Sequence, residues 1–317
     1  MTDRDDIPFV FAGDPCARLS SRRSDTAWLQ HALTSPATRF VPVCGEDNVL
    51  LAHDFAPLLL DSGTARQLLP QAHCSVLLGT CGEHPCFALG LPPATVLPAA
   101  DTVLTSLRPQ FTLLDHGTLA LLGYARVMVH WHLHNRFCGK CGAVTASRSA
   151  GHELHCTRCG NILYPRVNPA IIVLVTHADR CLLGRQSDWP EKRYSTIAGF
   201  VEAGESPEAT VRREVQEETN IRVASMHYTA SQPWPYPASL MLGFRAQAEN
   251  TDIRCNDAEL TDARWFSRAD IVMGIGNGSL LLPTQRSISY RLVQTWFEET
   301  GEYSLDRYQQ AGGSKNH

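Results

Sequence analysis

Runs of apolar residues in the carboxyl-terminal half of the chain predict a set of short strands. Residues 170–175 form a continuous apolar run of strand length, typical of a strand buried on both faces. A turn at residues 178–180 and a second apolar run at 181–184 predict the returning strand of a hairpin. Residues 239–246 and 263–266 read as further strands. This pattern predicts a sheet in the second half of the chain.

The first part of the chain has a more mixed pattern. Turn-rich segments separate short β-like runs, and we predict that residues 104–108 lead into a helical pattern. Apolar residues at helical spacing predict a connecting helix over 117–135 and a last helix over 286–299. The β-like runs cover residues 39–43, 74–78 and 86–90. The alternation predicts a separate domain of mixed character at residues 1–130.

Histidines and cysteines are scattered through this first domain. His130 and His134 lie one helical turn apart, and we interpret them as a solvated or packed helix face rather than a pair of metal ligands. Five other residues have a spacing that matches no metal-ligand pattern, so we read them as buried or merely reduced side chains. These residues are His73, Cys74, Cys81, His84 and Cys86.

Length and charge narrow the class of protein. The 317 residues allow two or three domains, and the formal net charge of −4 gives no general attraction to nucleic acid or membrane. The sequence has no apolar run of membrane-spanning length and no positive region followed by an apolar one at its start, so we predict a cytoplasmic protein without a membrane partner. The eleven cysteines are an odd number in a large chain, which favours reduced thiols and metal ligands over disulfides.

Four cysteines have the spacing of a zinc site. Cys138 and Cys141 form one Cys-x-x-Cys pair, and Cys156 and Cys159 form a second pair after fourteen intervening residues. Each pair places two thiolates on one tight turn, and four thiolates close a tetrahedral site with no position left for water. The sequence therefore predicts one structural zinc ion in a zinc ribbon.

An acidic helix follows a glycine loop in the second half. Ser206 and Pro207 are a good N-cap and first residue for a helix that we expect to continue to Thr219. Three carboxylates three or four residues apart then share one helical face, where like charges invite cations such as Mg²⁺ or Mn²⁺. These carboxylates belong to Glu214, Glu217 and Glu218. A merely solvated acidic face is the alternative, and the glycine loop in front argues against it.

The stretch from Gly199 to Ile221 resembles the signature of the Nudix hydrolases, which cleave a nucleoside diphosphate linked to a further group. The resemblance implies an α+β protein with a Nudix α/β/α sandwich preceded by a zinc ribbon and a mixed amino-terminal domain. It implies structural roles for Gly199, Glu205 and Arg213, with Arg213 paired to Glu205. Asn220 stands where the family has glycine, and we expect it to take the left-handed backbone of a helix end.

A proline-rich stretch past this helix narrows the substrate. Pro233, Pro235 and Pro237 forbid a helix and predict a stiff extended loop that presents Trp234 and Tyr236. From the residues alone, a surface loop and a platform for a flat heterocycle remain equally good interpretations. The stretch resembles the Ser-Gln-Pro-Trp-Pro-Phe-Pro element of the NADH pyrophosphatases, with tyrosine in place of phenylalanine and Ala238 in place of a frequent glutamine.

This second resemblance implies the substrate contacts. The carried-over candidates are Tyr164, Phe200, Gln232, Pro233, Trp234, Pro235, Tyr236, Pro237, Ala238, Ser239 and Ser289. Glu259 matches by position the further acidic metal ligand of the family. Glu217 or Glu218 is expected to act as the base for water, and the sequence does not choose between them.

The resemblance also implies the activity and the division of the chain. We expect metal-dependent hydrolysis of NADH or NAD to nicotinamide mononucleotide and AMP, removal of NAD caps from RNA 5′ ends, and a homodimer. The predicted domains are residues 1–130, a zinc ribbon at 131–163, a Nudix domain at 164–303 and a flexible tail at 304–317. Two alternatives remain: a Nudix hydrolase of ADP-ribose or diadenosine polyphosphate, and a non-catalytic nucleotide-sensing regulator with a zinc ribbon.

Overall fold

Residues 9–97, 101–255 and 259–308 are described in the computed structural model, and the chain divides into two units. The first unit comprises Met1–Val167 together with Trp234–Ala238, and the second comprises Asn168–Pro233 and Ser239–His317. The zinc ribbon thus belongs to the first unit, and the proline-rich loop is an inserted part of the same unit. No helix among the described residues is long and apolar enough to cross a membrane.

The first unit is built on a five-stranded sheet with the order β3-β4-β1-β2-β5. Its strands are β1 (Arg39–Cys44), β2 (Asp47–Leu51), β3 (Cys74–Cys81), β4 (His84–Leu91) and β5 (Thr102–Thr105). β1 runs parallel to β4, and the other neighbours in the sheet are antiparallel. Two short helices, α1 (Thr26–Thr34) and α2 (Ser62–Leu68), begin at the aspartate N-caps Asp25 and Asp61.

A long helix, α3 (His116–His134), packs on this sheet. Its N-cap is Asp115, whose carboxylate accepts a hydrogen bond of 2.9 Å from the backbone N–H of Thr118. Most of the helix is buried, and its leucines join one hydrophobic core with residues of β1, β3 and β4. The same core contains Trp234 and Tyr236 of the inserted loop as partly buried members.

The zinc ribbon adds a three-stranded sheet to this unit. Its strands are β6 (Thr145–Arg148), β7 (Glu153–Cys156) and β8 (Ile162–Leu163), which are antiparallel to their neighbours. His152 joins the ribbon to the first sheet, because its Nε2 lies 2.8 Å from the carbonyl oxygen of Leu77 in β3. Leu154 of β7 is buried in the same core as α3.

The second unit contains a sheet with the order β12-β13-β9-β10-β14, in which β11 pairs with β9. The strands are β9 (Asn168–His177), β10 (Arg180–Gln186), β11 (Ile197–Phe200), β12 (Val223–Trp234), β13 (Ser239–Ala248) and β14 (Leu260–Ser267). β9 is central and runs parallel to β13 and antiparallel to β10 and β11. Its buried apolar run explains why the strand was recognisable from the sequence.

Three helices complete the second unit: α4 (Pro207–Thr219), α5 (Arg268–Gly276) and α6 (Ile288–Glu298). Val211 and Val215 of α4 pack with Ile171 and Val173 of β9 in one core. Ile288 of α6 lies against Gly243 of β13, and Gly243 pairs with Ile172, the residue of β9 between Ile171 and Val173. Since successive residues of a strand face opposite sides, α4 and α6 cover opposite faces of the sheet and form an α/β/α sandwich.

Several predictions from the sequence are confirmed by these elements. The helix from Pro207 to Thr219 has the predicted bounds, Ser206 caps it, and Asn220 ends it with a left-handed φ of 64°. The predicted strands at 39–43, 74–78, 86–90, 170–175 and 181–184 all lie within strands of the structure.

Two features differ from the predictions. Leu104 lies in β5 rather than leading into a helix. Cys16 and Cys81 form a disulfide, so the prediction of reduced cysteines is wrong for this pair; an antiparallel bridge between Ala17 and Thr80 places the two side by side. In the predicted tail at 304–317, Leu305 is fully buried, and residues 309–317 lie outside the described part.

Candidate active site and zinc centre

The glycine loop is fastened to α4 by one ion pair. Arg213 donates from Nε and from its second terminal nitrogen to the two carboxylate oxygens of Glu205, at 2.7 and 2.9 Å. Thr210 and the backbone N–H of Glu202 donate to the same carboxylate at 2.9 and 3.1 Å. These donors, with Arg213 first, lower the pKa of Glu205 to about 2. The loop is therefore held in one position relative to the acidic helix.

The contact between β11 and α4 requires a glycine. An ideal Cβ built on Gly199 would lie 1.9 Å from the carboxyl carbon of Glu214. The Glu214 carboxylate thus occupies the space that any other side chain at position 199 would fill. The role of this glycine is close approach between strand and carboxylate rather than an unusual backbone conformation.

The three carboxylates of α4 differ in exposure, and two of them share one guanidinium. The side chain of Glu214 is 13% exposed and that of Glu217 is 57% exposed, while Glu218 as a whole is only 2% exposed. One terminal nitrogen of Arg213 lies between the first two, 2.9 Å from Glu214 and 3.1 Å from Glu217. The face is therefore a mixture of one buried, one half-buried and one open carboxylate, of which the last two contact the same guanidinium.

Electrostatics connect Glu259 to this face. Burial raises the pKa of Glu214, Arg213 opposes that effect, and the negative charges of Glu217 and Glu259 raise the pKa further. Glu259 is exposed and precedes β14. Glu214 lies against Gly199 in space that a Cβ would fill, and the charges of Glu217 and Glu259 act on it; carboxylate oxygens of this kind are hard donors, which fit Mg²⁺ or Mn²⁺.

Two aromatic candidates for substrate contact are open to solvent. Tyr164 is 56% exposed in the first unit, and Phe200 is 57% exposed at the end of β11 in the second. The carbonyl oxygen of Phe200 accepts a 3.0 Å hydrogen bond from Arg213, so the position of this residue depends on the same guanidinium that holds Glu205. Both rings have a face available for stacking.

Three further candidates are buried in the second unit. The side-chain oxygen of Gln232 accepts a 2.9 Å hydrogen bond from the backbone N–H of Ile288, at the start of α6. The hydroxyl of Ser289 lies 2.8 Å from both the Ser195 and the Thr196 hydroxyls. Ser239 is also buried, at the start of β13. The hydroxyl cluster could not be predicted from the sequence, because Ser289 is more than ninety residues from Ser195 and Thr196.

The proline-rich loop is not a free extended platform. Its first residues end β12, and the rest form a turn in the first unit. The Trp234 ring packs edge-on against Phe11 and Phe111, with centroids 6.0 and 5.6 Å apart, and Tyr236 lies 6.1 Å from Phe11. The expectation of aromatics held out by stiff backbone is therefore corrected, because burying the rings in an apolar core is more favourable than exposing them.

Arginine side chains anchor this loop. Arg126 of α3 donates to the carbonyl oxygen of Pro235, and its guanidinium lies over the Tyr236 ring at 4.9 Å from the centroid. Arg108 lies over the same ring at 4.6 Å. Pro235 is buried, whereas Pro233 and Pro237 are exposed and Ala238 is intermediate. Neither arginine was predicted, since both are more than a hundred residues from the loop in sequence.

The four predicted zinc ligands come together in the ribbon. Cys138 and Cys159 have their sulfurs 3.7 Å apart, and Cys141 and Cys156 have theirs 3.4 Å apart. All four sulfurs lie within 4.8 Å of one another. Four sulfurs around zinc at about 2.3 Å lie roughly 3.8 Å apart, so the arrangement fits a closed tetrahedral site.

Backbone conformation and local donors prepare the cysteines for metal. Gly142 and Gly160, each directly after a second cysteine, have positive φ of 72° and 71°, which only glycine adopts freely. The backbone N–H of Ala143 and the neighbouring Arg158 lower the pKa of Cys141 to about 6. Cys141 therefore loses its proton readily and forms the thiolate that binds zinc, whereas the neighbouring thiols raise the pKa of Cys159 to about 11.

Comparison with known families gives three adjacent matches along the chain. Residues 37–131 match the NADH pyrophosphatase-like rudimentary NUDIX domain, residues 133–164 match the NADH pyrophosphatase zinc ribbon domain, and residues 166–288 match the NUDIX domain. The matched ranges fall close to the ribbon and sandwich boundaries of the structure.

Three curated relatives are similar over the second part of the chain. The NAD-capped RNA hydrolase NudC of Pseudomonas aeruginosa is 43% identical over 182 residues, 57% of this chain and 63% of the relative. The NAD-capped RNA hydrolase NUDT12 of Homo sapiens is 36% identical over 201 residues, 59% of this chain and 44% of the relative. The NudC of Stutzerimonas stutzeri is 37% identical over 219 residues, 69% of this chain and 76% of the relative. The chain thus spans less than two thirds of the first two relatives.

Proposed function

Because the chain belongs to the NADH pyrophosphatase family of Nudix hydrolases, we propose that it hydrolyses the pyrophosphate of NADH or NAD to nicotinamide mononucleotide and AMP. Cleavage of the same bond would remove NAD caps from RNA 5′ ends, the activity for which its relatives are named. The observation that carries the proposal is the carboxylate face of α4, with Glu214 seated against Gly199.

Glu214, Glu217, Glu218 and Glu259 would hold divalent cations, Mg²⁺ or Mn²⁺. Such ions, when bound, neutralise the pyrophosphate and lower the pKa of a bound water. The reaction adds water to one phosphorus, and the bridging oxygen leaves with the other nucleotide, so the chain mainly positions the reacting groups. Arg213 serves this task by holding Glu205, Glu214 and the Phe200 carbonyl together.

The base for water is Glu217 or Glu218. Glu217 is open to solvent, whereas Glu218 is almost fully buried. An exposed carboxylate has better access to a water proton, whereas burial can raise the pKa of a carboxylate and so make it a stronger base. Comparing the pH dependence of kcat for Glu217→Gln and Glu218→Gln would separate the two roles, since only the base controls the acidic limb.

The substrate-binding roles of the loop residues and of Tyr164 and Phe200 rest on the family resemblance. Phe200 and Tyr164 each expose more than half of their surface, which suits stacking on a base.

We also propose that the protein is a homodimer and that it is cytoplasmic. Light scattering of the purified chain and fractionation of cells would test them.

A parallel assay tests the function. Wild-type protein with Mg²⁺ or Mn²⁺ is given NADH, NAD, ADP-ribose, diadenosine tetraphosphate and NAD-capped RNA, and the products are identified by mass spectrometry. We expect nicotinamide mononucleotide and AMP as products and a loss of roughly 10²–10⁴-fold in kcat for Glu218→Gln. Glu208→Gln is the matched control, because Glu208 lies exposed in the first turn of the same helix.

Each alternative predicts a different outcome. Faster turnover of ADP-ribose or diadenosine tetraphosphate than of any NAD compound would favour a different Nudix substrate. Nucleotide binding without turnover in either metal would favour a non-catalytic regulator. Equal turnover by Glu218→Gln and wild type would contradict the assignment of the carboxylate face.

A further inference from the structure

A second cluster of metal-ligating side chains lies in the first unit. Glu46 occupies the turn between β1 and β2, and His130 and His134 lie in the last turns of α3. One ligand atom from each of these three residues lies within 4.8 Å of the others. The sequence shows only the two histidines, because Glu46 is eighty-four residues from His130.

The distances suit a metal ion bound to three protein atoms. Nδ1 of His130 lies 2.6 Å and Nε2 of His134 lies 3.9 Å from the same carboxylate oxygen of Glu46. Three ligands at about 2.1 Å from a tetrahedral metal ion lie roughly 3.4 Å apart. Small side-chain rotations would bring the three atoms to that separation, because both histidine and glutamate turn about single bonds.

The surrounding contacts orient the ligands. Arg126 donates to the Glu46 backbone carbonyl at 2.9 Å and to the second carboxylate oxygen at 3.1 Å, which leaves the first oxygen facing the histidines. Nδ1 of His134 lies 2.9 Å from the His130 carbonyl oxygen. A neutral His134 that donates from Nδ1 keeps its lone pair on Nε2, the atom nearer Glu46. Fixing carboxylates and imidazoles by such outer contacts is typical of protein metal sites.

A solvated helix face accounts less well for this arrangement. The two imidazole rings lie only 4.1 Å apart, and one nitrogen of each converges with a carboxylate oxygen of Glu46. A merely solvated face does not require three potential ligand atoms to converge. The side chains are 19%, 58% and 42% exposed for His130, His134 and Glu46, so an ion could enter from solvent.

We propose that Glu46, His130 and His134 bind one divalent transition-metal ion, such as Zn²⁺ or Co²⁺, with at least one position left open to water. Two imidazoles and one carboxylate are a nitrogen and oxygen donor set that selects these ions over Mg²⁺ and Ca²⁺. Binding displaces the proton between His130 and Glu46 into solvent. The ion ties the β1–β2 turn to the end of α3.

Metal titration of the full chain tests this site, with excess Mg²⁺ present to occupy the carboxylate face of α4. We expect wild type to bind one equivalent of Zn²⁺ more than His134→Ala, counted by elemental analysis after removal of free metal. Glu46→Gln is a second variant and should weaken the extra equivalent at least roughly tenfold. His53→Ala is the matched control, because His53 is an exposed histidine beside a carboxylate, Asp54, in the same unit.

Cobalt gives a readout that separates this site from the cysteines. Co²⁺ held by nitrogen and oxygen shows ligand-field absorption without the thiolate-to-metal bands of a four-cysteine site. We expect the nitrogen and oxygen spectrum in wild type and His53→Ala and its loss in His134→Ala and Glu46→Gln. The same stoichiometry and spectrum in wild type and both site variants would overturn the proposal. Neither readout depends on NAD hydrolysis.

Discussion

Replacing Gly199 with alanine should move the Glu214 carboxylate while changing the stability of the fold only slightly. The new Cβ would lie 1.9 Å from the Glu214 carboxyl carbon, and ordinary van der Waals contact begins at 3.4 Å. The carboxylate must therefore move by about 1.5 Å, the difference between these distances. A misplacement of about 1 Å at a reacting centre costs on the order of 10²-fold in rate.

The cost to stability should be small by comparison. The displaced atoms are the far end of a flexible side chain, so the fold can absorb the change by an off-rotamer glutamate at about 0.5–1.5 kcal/mol. Gly199→Ala should thus lose about 10²-fold in kcat/KM, measured with NADH in Mg²⁺, while urea denaturation shows little change. Gly276→Ala, where a Cβ would meet no atom within 4 Å, is the control.

A double-mutant cycle tests the cause. If Gly199→Ala acts by moving Glu214, it should add little to the loss already caused by Glu214→Gln, because both changes act on the same carboxylate. Multiplicative losses in the double variant would refute this reasoning. A wild-type kcat/KM in Gly199→Ala would also refute it, because the reaction would then not depend on the observed position of the Glu214 carboxylate.

The other predictions concern the first unit and the hydroxyl cluster. Cys138→Ser should lose zinc by elemental analysis and melt at lower temperature, whereas Cys255→Ser, outside the ribbon, should do neither. Ser289→Ala should lower the free energy of unfolding by about 1–3 kcal/mol in urea by leaving buried hydroxyls with fewer partners, and an unchanged value would contradict that network. Burial lowers the pKa of His152 to about 4, so the unfolded chain binds the proton more readily than the folded chain. The free energy of unfolding should therefore fall as pH drops from about 6.5 towards 4. In denaturation measured across pH, His152→Gln should reduce this dependence.

The carboxylate helix and the zinc ribbon could be predicted because their information is local. Cys-x-x-Cys pairs and carboxylates three or four residues apart fix their geometry through one turn or one helix. The left-handed Asn220 is local in the same sense, since it depends on the helix that ends there.

Features that depend on distant partners could not be predicted. Trp234 packs against Phe11 and Phe111, which lie more than a hundred residues earlier in the chain. The proline-rich pattern of the loop therefore did not indicate that Trp234 joins a hydrophobic core. Cys16 and Cys81 pair because an isolated β-bridge between Ala17 and Thr80 brings them together across sixty-five residues. In each case the sequence shows which residue types are present, but only the fold shows which distant residue each one contacts.

Arg213 explains how the carboxylate face can fold before any cation is bound. Glu214 and Glu217 would repel each other on adjacent turns, and one terminal nitrogen of Arg213 lies within hydrogen-bond distance of both. The other edge of the guanidinium is held by both oxygens of Glu205. If the proposed cations were held by Glu214 and Glu217, the two-point contact to Glu205 would still hold Arg213 and the Phe200 carbonyl in place. Lysine could not hold both edges, because its ammonium is a single point of charge.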